Sequence, residues 1–352
     1  MPNTNDPGKV VTVTGAVDPS ELGPTLTHEH LMIDFTVVYK EPDNPDDASL
    51  ARAKVNFHNL GWVRFNWVSN FDNLSLDDEA LTIREVNFYK RAGGGTIVDA
   101  TTVGIGRNPE ALKRISTATG LNLIMGAGFY VEASHPDDYA ARPVDDVAQQ
   151  MITELTEGVD GTDIRCGIIG ELGCSWPWTD AEKKTVEAAI IAQHETGAAI
   201  LIHPGRNNRA PLEILEFMSA KGSDLSRTIM GHIERTIFDP AILSETAAAG
   251  SYLEYDLFGH DSPYYPLAPE SYMPGDHQRI DQIASLLDQG YGDRVVLSHD
   301  VCSKHRLREF GGHGWDHIIS RVGPWMEARG IEKSAFDRML VDNPARVLVY
   351  PS

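Results

Sequence analysis

The chain has 352 residues, of which 41% are hydrophobic and 23% are charged, a composition typical of a soluble globular protein. Its formal net charge of −21 argues against nucleic acid or an anionic membrane surface as a partner. No apolar run approaches the roughly 20 residues needed to span a bilayer, and the polar segment 1–9 lacks the apolar core of an export signal. Because Cys166, Cys174 and Cys302 are too few for a disulfide framework, the sequence indicates a cytoplasmic protein.

The chain begins with a segment that predicts a small β-structure. Residues 10–17 alternate β-branched with other side chains and stop at Asp18-Pro19, which predicts a strand or hairpin that closes the lower end of a barrel. After it, short apolar runs rich in β-branched residues alternate with longer amphipathic stretches. The predicted strands are residues 23–30, 95–101, 121–127, 166–171, 198–203, 228–232, 251–256 and 294–300. The predicted helices are residues 76–92, 109–119, 143–158, 180–196, 210–221, 240–249 and 278–289.

This alternation predicts the fold class. Near-continuous apolar strands that are each followed by a helix are typical of a parallel sheet covered on both faces. The sequence therefore predicts a (β/α)8 TIM barrel with an N-terminal β-hairpin, and residues 1–352 as a single domain. A long connection, residues 37–73, is inserted after the first strand and carries Trp62, Phe65, Trp67 and Phe71. Two interpretations of these aromatic side chains stay open, namely packing against the barrel or shaping a pocket mouth or a dimer interface.

The first predicted strand ends in Thr27-His28-Glu29-His30, the most informative segment of the chain. Residues i and i+2 of a strand share a face, so both imidazoles can reach one metal ion. A parallel barrel places its chemistry at the C-terminal ends of its strands. Four other predicted strands also end in a good ligand for a divalent cation, and these ligands are Glu171, His203, His232 and Asp300.

Six ligands from five strands are too many for one catalytic ion that keeps an open position. They suit two ions about 3.5–4 Å apart that a carboxylate and a water bridge. Imidazole and carboxylate bind zinc, manganese, cobalt or iron, and the imidazole-rich set favours zinc. The predicted cofactor is therefore a pair of divalent cations, Zn²⁺ first and Mn²⁺, Co²⁺ or Fe²⁺ as alternatives, held by His28, His30, Glu171, His203, His232 and Asp300.

The motifs that carry these ligands resemble those of the phosphotriesterase family in the amidohydrolase superfamily. They are THEH at 27–30, GIIGE at 167–171, LIHPGR at 201–206, GHIERT at 231–236 and LSHD at 297–300. The stretches 251–259, 303–307 and 311–314 are similar to the phosphotriesterase-related branch, which includes vertebrate proteins that hydrolyse N-acetyltaurine.

The resemblance implies a role for each ligand. His28, His30 and Asp300 would hold the more buried ion, and His203 and His232 the more exposed one. Glu171 would bridge the two ions, at a position where many family members use a carboxylated lysine. The shorter glutamate argues against efficient phosphotriester turnover.

A second departure from the family concerns the residue after Asp256. Leu257 stands there, where lactonases of the family commonly carry an arginine, which argues against a lactonase.

Asp300 is the predicted catalytic residue. It would accept a proton from the bridging water and pass it to the leaving group, which an amide needs more than an ester does. Tyr130 follows the third strand and is expected at the pocket, as a hydrogen-bonding group or an apolar wall. A sulfonate or carboxylate on the substrate would need one or two cations, and several follow the ligand-bearing strands. The predicted substrate-binding residues are Tyr130, Arg206, Arg235, Lys304 and His305.

These features together predict a hydrolase that depends on two metal ions and acts on small acylated substrates. The favoured activity is an amidase for N-acyl amino or N-acyl aminosulfonate compounds, similar to N-acetyltaurine. A lactonase, an esterase or a weak phosphotriesterase is the alternative within this class, and a metal-containing protein that binds a small ligand is the non-enzymatic one. The expected partner is a small-molecule substrate, without nucleic acid or membrane, and the resemblance implies a homodimer.

Overall fold

The computed structural model describes residues 6–260, 262 and 264–352. Its strands, in chain order, are β1 (Val10–Thr12), β2 (Gly15–Val17), β3 (Thr25–Glu29), β4 (Ile33–Asp34), β5 (Ser75–Leu76), β6 (Thr96–Asp99), β7 (Asn122–Ala127), β8 (Ile168–Gly173), β9 (Ile200–His203), β10 (Thr228–Met230), β11 (Tyr252–Tyr255) and β12 (Val295–Leu297). Strands β3 and β6 to β12 form one parallel sheet in sequence order, and each lies within or overlaps a predicted strand. Two short antiparallel pairs, β1 with β2 and β4 with β5, lie outside this sheet.

The first and last strands of the parallel sheet come together and nearly close it. The backbone N–H of Asp300 donates to the carbonyl oxygen of His28 at 3.1 Å. The hydroxyl of Ser298 accepts the backbone N–H of His28 at 3.0 Å and lies 2.7 Å from the same carbonyl oxygen. The predicted (β/α)8 TIM barrel is thereby confirmed.

Helices follow the barrel strands as predicted. The longer ones are Glu79–Arg91, Pro109–Thr119, Val144–Thr156, Asp180–Thr196, Ala210–Ala220, Pro240–Ala248 and Asp276–Asp288. Shorter helical segments are Ala48–Arg52, Leu60–Phe65, Ile233–Thr236, Ile318–Val322, Gly323–Ala328, Lys333–Asp337, Arg338–Asp342 and Asn343–Leu348. No helix in the described ranges is both long and apolar enough to cross a membrane.

The helix Pro109–Thr119 shows why the sequence places these boundaries well. The side chain of Asn108 accepts the backbone N–H of Ala111, and Pro109 supplies a preset φ at the first helical position. The helix ends at Gly120, whose φ of 68° lies in the left-handed region that glycine adopts without strain. Each signal is local, so the predicted boundaries 109–119 match the observed ones.

The interior of the barrel is apolar at the N-terminal ends of its strands. Val10 of the hairpin is buried there with Leu22, which precedes the first barrel strand. They pack with inward side chains of the strands and with the last helix, namely Val98, Ile124, Ile168, Leu201, Ile229, Tyr252, Val296, Val347 and Leu348. The hairpin therefore closes the lower end of the barrel, as predicted.

The inserted connection after β3 both packs against the barrel and lines a cavity. Trp67 is buried and stacks on Phe35, with the ring centroids 6.4 Å apart. Phe65 is 55% exposed and lines a cavity at the barrel mouth. One part of the insertion thus packs against the barrel, and another part shapes the cavity mouth. A dimer interface and the single domain 1–352 stay predictions.

Candidate metal centre

The six predicted ligands converge at the C-terminal end of the barrel. His28 lies in β3 and His30 directly follows it, His203 ends β9, and Glu171 lies in β8. The other two, His232 and Asp300, follow β10 and β12. Groups drawn from this set have ligand atoms that all lie within 4.8 Å of one another, notably His28 with Glu171 and His232, and His28 with His30 and Asp300. Parallel strands bring these side chains together because their carboxyl ends share one edge of the sheet.

Glu171 lies at the centre of the cluster. Its Oε2 is 2.7 Å from Nδ1 of His203 and 3.3 Å from Nε2 of His28. Its Oε1 is 3.2 Å from Nε2 of His30, which in turn is 3.3 Å from Oδ1 of Asp300. One carboxylate therefore faces both groups of imidazoles, the arrangement that a bridging ligand needs.

The electrostatics of the cluster favour bound positive charge. Burial acts to raise the pKa of the Glu171 carboxyl, but the neighbouring His28 and His203 outweigh it and hold that pKa well below its ordinary value. Burial likewise acts to lower the pKa of His30, yet Asp300 and Glu171 raise it to about 9. The carboxylates thus attract cations to this place, and a metal ion would compete there with the protons of the imidazoles.

A further carboxylate, that of Asp256, contacts the Nδ1 atoms of two of the imidazoles and orients their rings. Oδ2 of Asp256 is 2.9 Å from Nδ1 of His28, and its Oδ1 is 2.8 Å from Nδ1 of His232. The hydroxyl of Thr101 lies 2.9 Å from Nδ1 of His30. An Nδ1–H that donates to such a partner leaves Nε2 as a lone pair, which is how metal-binding histidines are usually held.

One buried atom tests whether a cation fits this set of donors. Nε2 of His28 is buried and forms no hydrogen bond with the described residues, although Oε2 of Glu171 lies 3.3 Å away. A buried polar atom without a partner is costly unless something else satisfies it. The donor set around it consists of imidazole nitrogens and carboxylate oxygens, which are suitable ligands for a divalent metal ion. The residues present therefore fit the predicted kind of cofactor.

The sequence interpretation did not assign Asp256, although a signal for it exists. Strand β11 ends at Tyr255, and Asp256 is the next residue, so this strand also ends in a carboxylate. Glu254, two residues earlier on the same face, is also buried, with Oε2 3.3 Å from Nδ1 of His28. The rule that found the other ligands would have found both carboxylates.

Two of the converging residues have strained backbones. His232 has a φ of 53° and Asp300 a φ of 49°, in the left-handed region that residues with a Cβ seldom adopt. Such strain is frequent at functional sites because the surrounding structure holds it in place. In this conformation Nε2 of His232 lies 3.8 Å from Oε2 of Glu171, and Oδ1 of Asp300 lies 3.3 Å from Nε2 of His30.

Beside the cluster lies an inner pocket that contains three of the predicted substrate-binding residues. Tyr130, Arg206 and Arg235 all line it, and the hydroxyl of Tyr130 is 3.2 Å from Nε2 of His203. Nη2 of Arg235 lies 3.2 Å from the same nitrogen and donates to the carbonyl oxygen of Pro204. Its other walls combine ionisable side chains, among them His203, His232, His260, Asp300 and Arg306, with the apolar side chains of Phe35, Trp67, Leu257, Leu267 and Met273.

The two arginines of the inner pocket are cations that form no ion pair with the residues that the structure describes. Nε of Arg206 donates to the hydroxyl of Tyr265 at 2.8 Å, and Arg235 bonds only neutral groups. No carboxylate in the described part of the chain forms an ion pair with either guanidinium. Burial lowers the pKa of Arg235, as expected for a charge removed from water. Such a pair would be stabilised by an anionic group of a ligand.

The structure places Lys304 and His305 outside the inner pocket. Nζ of Lys304 is 2.7 Å from Oδ1 of Asp72 in the insertion, so this cation is already paired, and it lines neither cavity at the mouth. His305 lines the wider outer cavity, where its Nδ1 is 3.0 Å from Oδ1 of Asn73. Arg306, another of the cations that follow the ligand-bearing strands, lines both cavities and lies 5.4 Å from the ring of Trp67.

The outer cavity has a volume of about 950 Å³ and adjoins the inner pocket. Both are lined by Trp67, His260, Tyr265, Met273 and Arg306. Its wall also includes three side chains that are each about half exposed, namely Phe65, Tyr264 and Trp325. A pocket of this size and apolar character at a barrel mouth is typical of a small-molecule site.

Comparison with known proteins agrees with this arrangement. The phosphotriesterase family model matches residues 8–348. A phosphotriesterase-related protein of Nematostella vectensis is 46% identical over 97% of this chain and 99% of its own length. An N-acetyltaurine hydrolase of Salmo salar is 45% identical over 97% of this chain and 98% of its own length. The crystal structure of a resiniferatoxin-binding protein from Rhodobacter sphaeroides shares 36% identity and a TM-score of 0.94, covering 98% of this chain and 97% of that one.

These similarities extend over almost the whole chain and include relatives that are named as hydrolases. The predicted class of enzyme, a metal-dependent hydrolase, is thereby confirmed, together with the resemblance seen in the motifs. The chain belongs to the phosphotriesterase family.

Proposed function

We propose that this protein hydrolyses the amide bond of N-acyl amino acids or N-acyl aminosulfonates, with N-acetyltaurine as the simplest candidate. The observation that carries the proposal is the pair Arg206 and Arg235, two cations without an ion-pair partner among the described residues, beside six converging side chains that could bind metal. A sulfonate or carboxylate would satisfy both guanidinium groups and leave the amide carbonyl near the cluster. The similarity to an N-acetyltaurine hydrolase supports the same substrate class.

We propose further that the cluster holds two divalent cations, with zinc as the favoured metal. His28, His30 and Asp300 would bind one cation, His203 and His232 the other, and Glu171 would bridge them. Two such cations supply a water of lowered pKa and polarise a carbonyl oxygen. The short distances from Glu171 to three imidazoles support its role as the bridge.

The side chains around the cations would divide the remaining work. Asp300 accepts the proton of the attacking water and delivers it to the amide nitrogen, because an amine anion is a poor leaving group. Arg206 and Arg235 bind the anionic end of the substrate and orient it. The tyrosine at the pocket, Tyr130, lies close enough to His203 to hydrogen-bond a group bound there. The apolar walls exclude bulk water and so strengthen these electrostatic interactions.

The other predicted functions make different demands on the pocket. A neutral lactone would not use the two arginines, and Leu257 lines the inner pocket where family lactonases commonly carry an arginine. A protein that only binds a ligand would not need six converging metal-binding groups. The test below includes this binding function because one similar protein is named for binding resiniferatoxin.

The test is a substrate panel combined with metal analysis. Protein loaded with Zn²⁺ or Mn²⁺ is assayed on N-acetyltaurine, N-acetylglycine, longer N-acyl analogues, a lactone and a phosphotriester. We expect about two metal ions per chain and the highest kcat/KM on the anionic N-acyl compounds. Higher kcat/KM on the lactone or the phosphotriester would contradict the proposed substrate, and a protein without bound metal or turnover would indicate a binding protein.

Three broader expectations are part of the proposal. The partner is a small-molecule substrate rather than nucleic acid or a membrane surface, and the chain acts as a single domain in the cytoplasm. A homodimer is expected from the family resemblance. Light scattering during size-exclusion chromatography would measure the oligomeric state, and a monomer would contradict that expectation.

A further inference from the structure

Glu29 lies between two of the converging histidines, yet its side chain points away from them. His28 and His30 share one face of the strand, so the residue between them projects from the other. The carboxylate of Glu29 is fully buried and contacts the segment after β12 rather than Glu171. Nothing in the proposed chemistry uses this charge, although a buried carboxylate must be satisfied by several donors.

Five donors surround the Glu29 carboxylate. Oε1 accepts the backbone N–H of His299 at 2.8 Å, lies 2.8 Å from Nδ1 of the same residue and is 2.7 Å from the hydroxyl of Ser298. Oε2 accepts the backbone N–H of Val301 at 3.0 Å and the indole N–H of Trp315 at 3.1 Å. Four of these five donors belong to residues that flank Asp300.

The turn that Glu29 organises is the one that carries Asp300. The N–H groups on both sides of Asp300 point to Glu29, while the N–H of Asp300 itself donates to the carbonyl of His28. Asp300 has a φ of 49°, which needs support from its surroundings. These bonds direct the Asp300 carboxylate to Nε2 of His30, 3.3 Å away.

The imidazole of His299 is fixed as part of the same arrangement. Its Nε2 accepts the backbone N–H of Ile318 at 3.1 Å, so its proton lies on Nδ1 and is donated to Glu29. Both ring nitrogens are therefore used within the turn. This leaves His299 no part in the chemistry and gives it a structural one.

We propose that Glu29 is a positioning residue that holds Asp300 in the geometry needed for proton transfer, an inference that rests on the proposed function. Glu29 touches neither substrate nor the proposed cations. It acts through the backbone of residues 298–301, and a displacement of about 1 Å in a reacting group is enough to cost roughly a hundred-fold in rate.

The test is a double-mutant cycle with Glu29→Gln and Asp300→Asn. The glutamine keeps the size of the side chain but presents an amide NH₂ where two N–H donors need an acceptor. We expect kcat to fall about ten-fold to a hundred-fold in Glu29→Gln, with KM and metal content within about two-fold of wild type. In the Asp300→Asn background the same change should cause no further loss, because both substitutions remove one function.

Glu85→Gln is the matched control. Glu85 is also a buried glutamate that accepts two backbone N–H groups after β12, those of Arg308 and Glu309, each at 2.9 Å. That turn carries none of the converging residues, so kcat should stay unchanged.

Several outcomes would overturn the inference. They are a kcat of Glu29→Gln within about two-fold of wild type, losses that multiply in the double variant, and a loss of kcat that merely follows a loss of metal. If Glu29→Gln does not fold, Glu29→Asp, which keeps the charge on a shorter side chain, takes its place in the cycle. Full activity of Asp300→Asn alone would instead contradict the proposed function.

Discussion

The two ends of the barrel are built from the same strands but hold opposite kinds of side chain. On β9, Leu201 belongs to the apolar lower core, and His203, two residues later on the same face, belongs to the ligand cluster. On β11 the same face carries Tyr252 in the lower core, then Glu254, then Asp256. The change from apolar to ionisable side chains takes place within one or two steps along a strand.

The lower end of the barrel mainly stabilises the fold, and the upper end carries the groups that could perform chemistry. The lower end buries a cluster of well-packed apolar groups, which stabilise the fold because they leave water. The upper end buries charges and contains the left-handed His232 and Asp300. Buried charge and backbone strain both cost stability and are found mainly where function requires them. Substitutions at the two ends should therefore affect different measurements.

The largest effect is expected for Asp300→Asn at the upper end. Asparagine cannot take the proton of the attacking water, so kcat should fall about 10²- to 10⁴-fold. Asparagine tolerates the left-handed conformation, so the fold and the unfolding midpoint should be kept. Steady-state kinetics measure kcat, and urea unfolding measures the midpoint. A kcat near that of wild type would contradict the assignment of the chemistry to the upper end.

The complementary change at the lower end is Leu22→Ala. Leu22 is fully buried in the apolar core, and its truncation should lower the free energy of unfolding by about 2–5 kcal/mol. kcat at 25 °C should not change, because the site lies at the other end of the strands. Leu22→Met keeps the volume and should cost less than about 1.5 kcal/mol. A large loss of kcat in folded Leu22→Ala would show that the two ends are coupled.

A smaller effect is expected for Asp256→Asn, which acts behind the histidines. An asparagine cannot accept from both His28 and His232 as the carboxylate does. Metal affinity should therefore fall about 10- to 100-fold, which competition with a chelator measures. Thr101→Val, which removes only a neutral partner of His30, should have a weaker effect. Equal effects of the two variants would contradict the importance of the charge.

The smallest effect is expected at the substrate pocket. Arg206→Met and Arg235→Met should each raise KM for N-acetyltaurine about ten-fold, since a hydrogen bond to a charged group contributes roughly 1.5–3 kcal/mol. KM for a neutral lactone should stay unchanged. Lys304→Met is the control, because that ammonium is paired with Asp72 and should leave both KM values as they are. A higher KM for N-acetyltaurine in Lys304→Met would instead support the prediction that Lys304 binds the substrate.

The sequence by itself determined the barrel and selected the six side chains that the structure brings together. Strand periodicity, helix caps and turn residues act over a few neighbouring positions, which is why residues 109–119 were placed correctly. The ligands were found by a rule that is also local, a polar residue at the end of an apolar strand. The fold then brings such residues together without further information.

Only the tertiary structure decided which way the longer side chains point and what holds them. Lys304 pairs with Asp72, 232 residues away, and so lies outside the pocket, while Arg306, two residues later, lines it. Asp256 meets His28 across 228 residues, and Glu29 reaches Ser298 across 269. Such contacts depend on the packing of distant segments and on several rotatable bonds in each side chain. A local pattern contains neither, so the partners of these side chains could be assigned only from the tertiary structure.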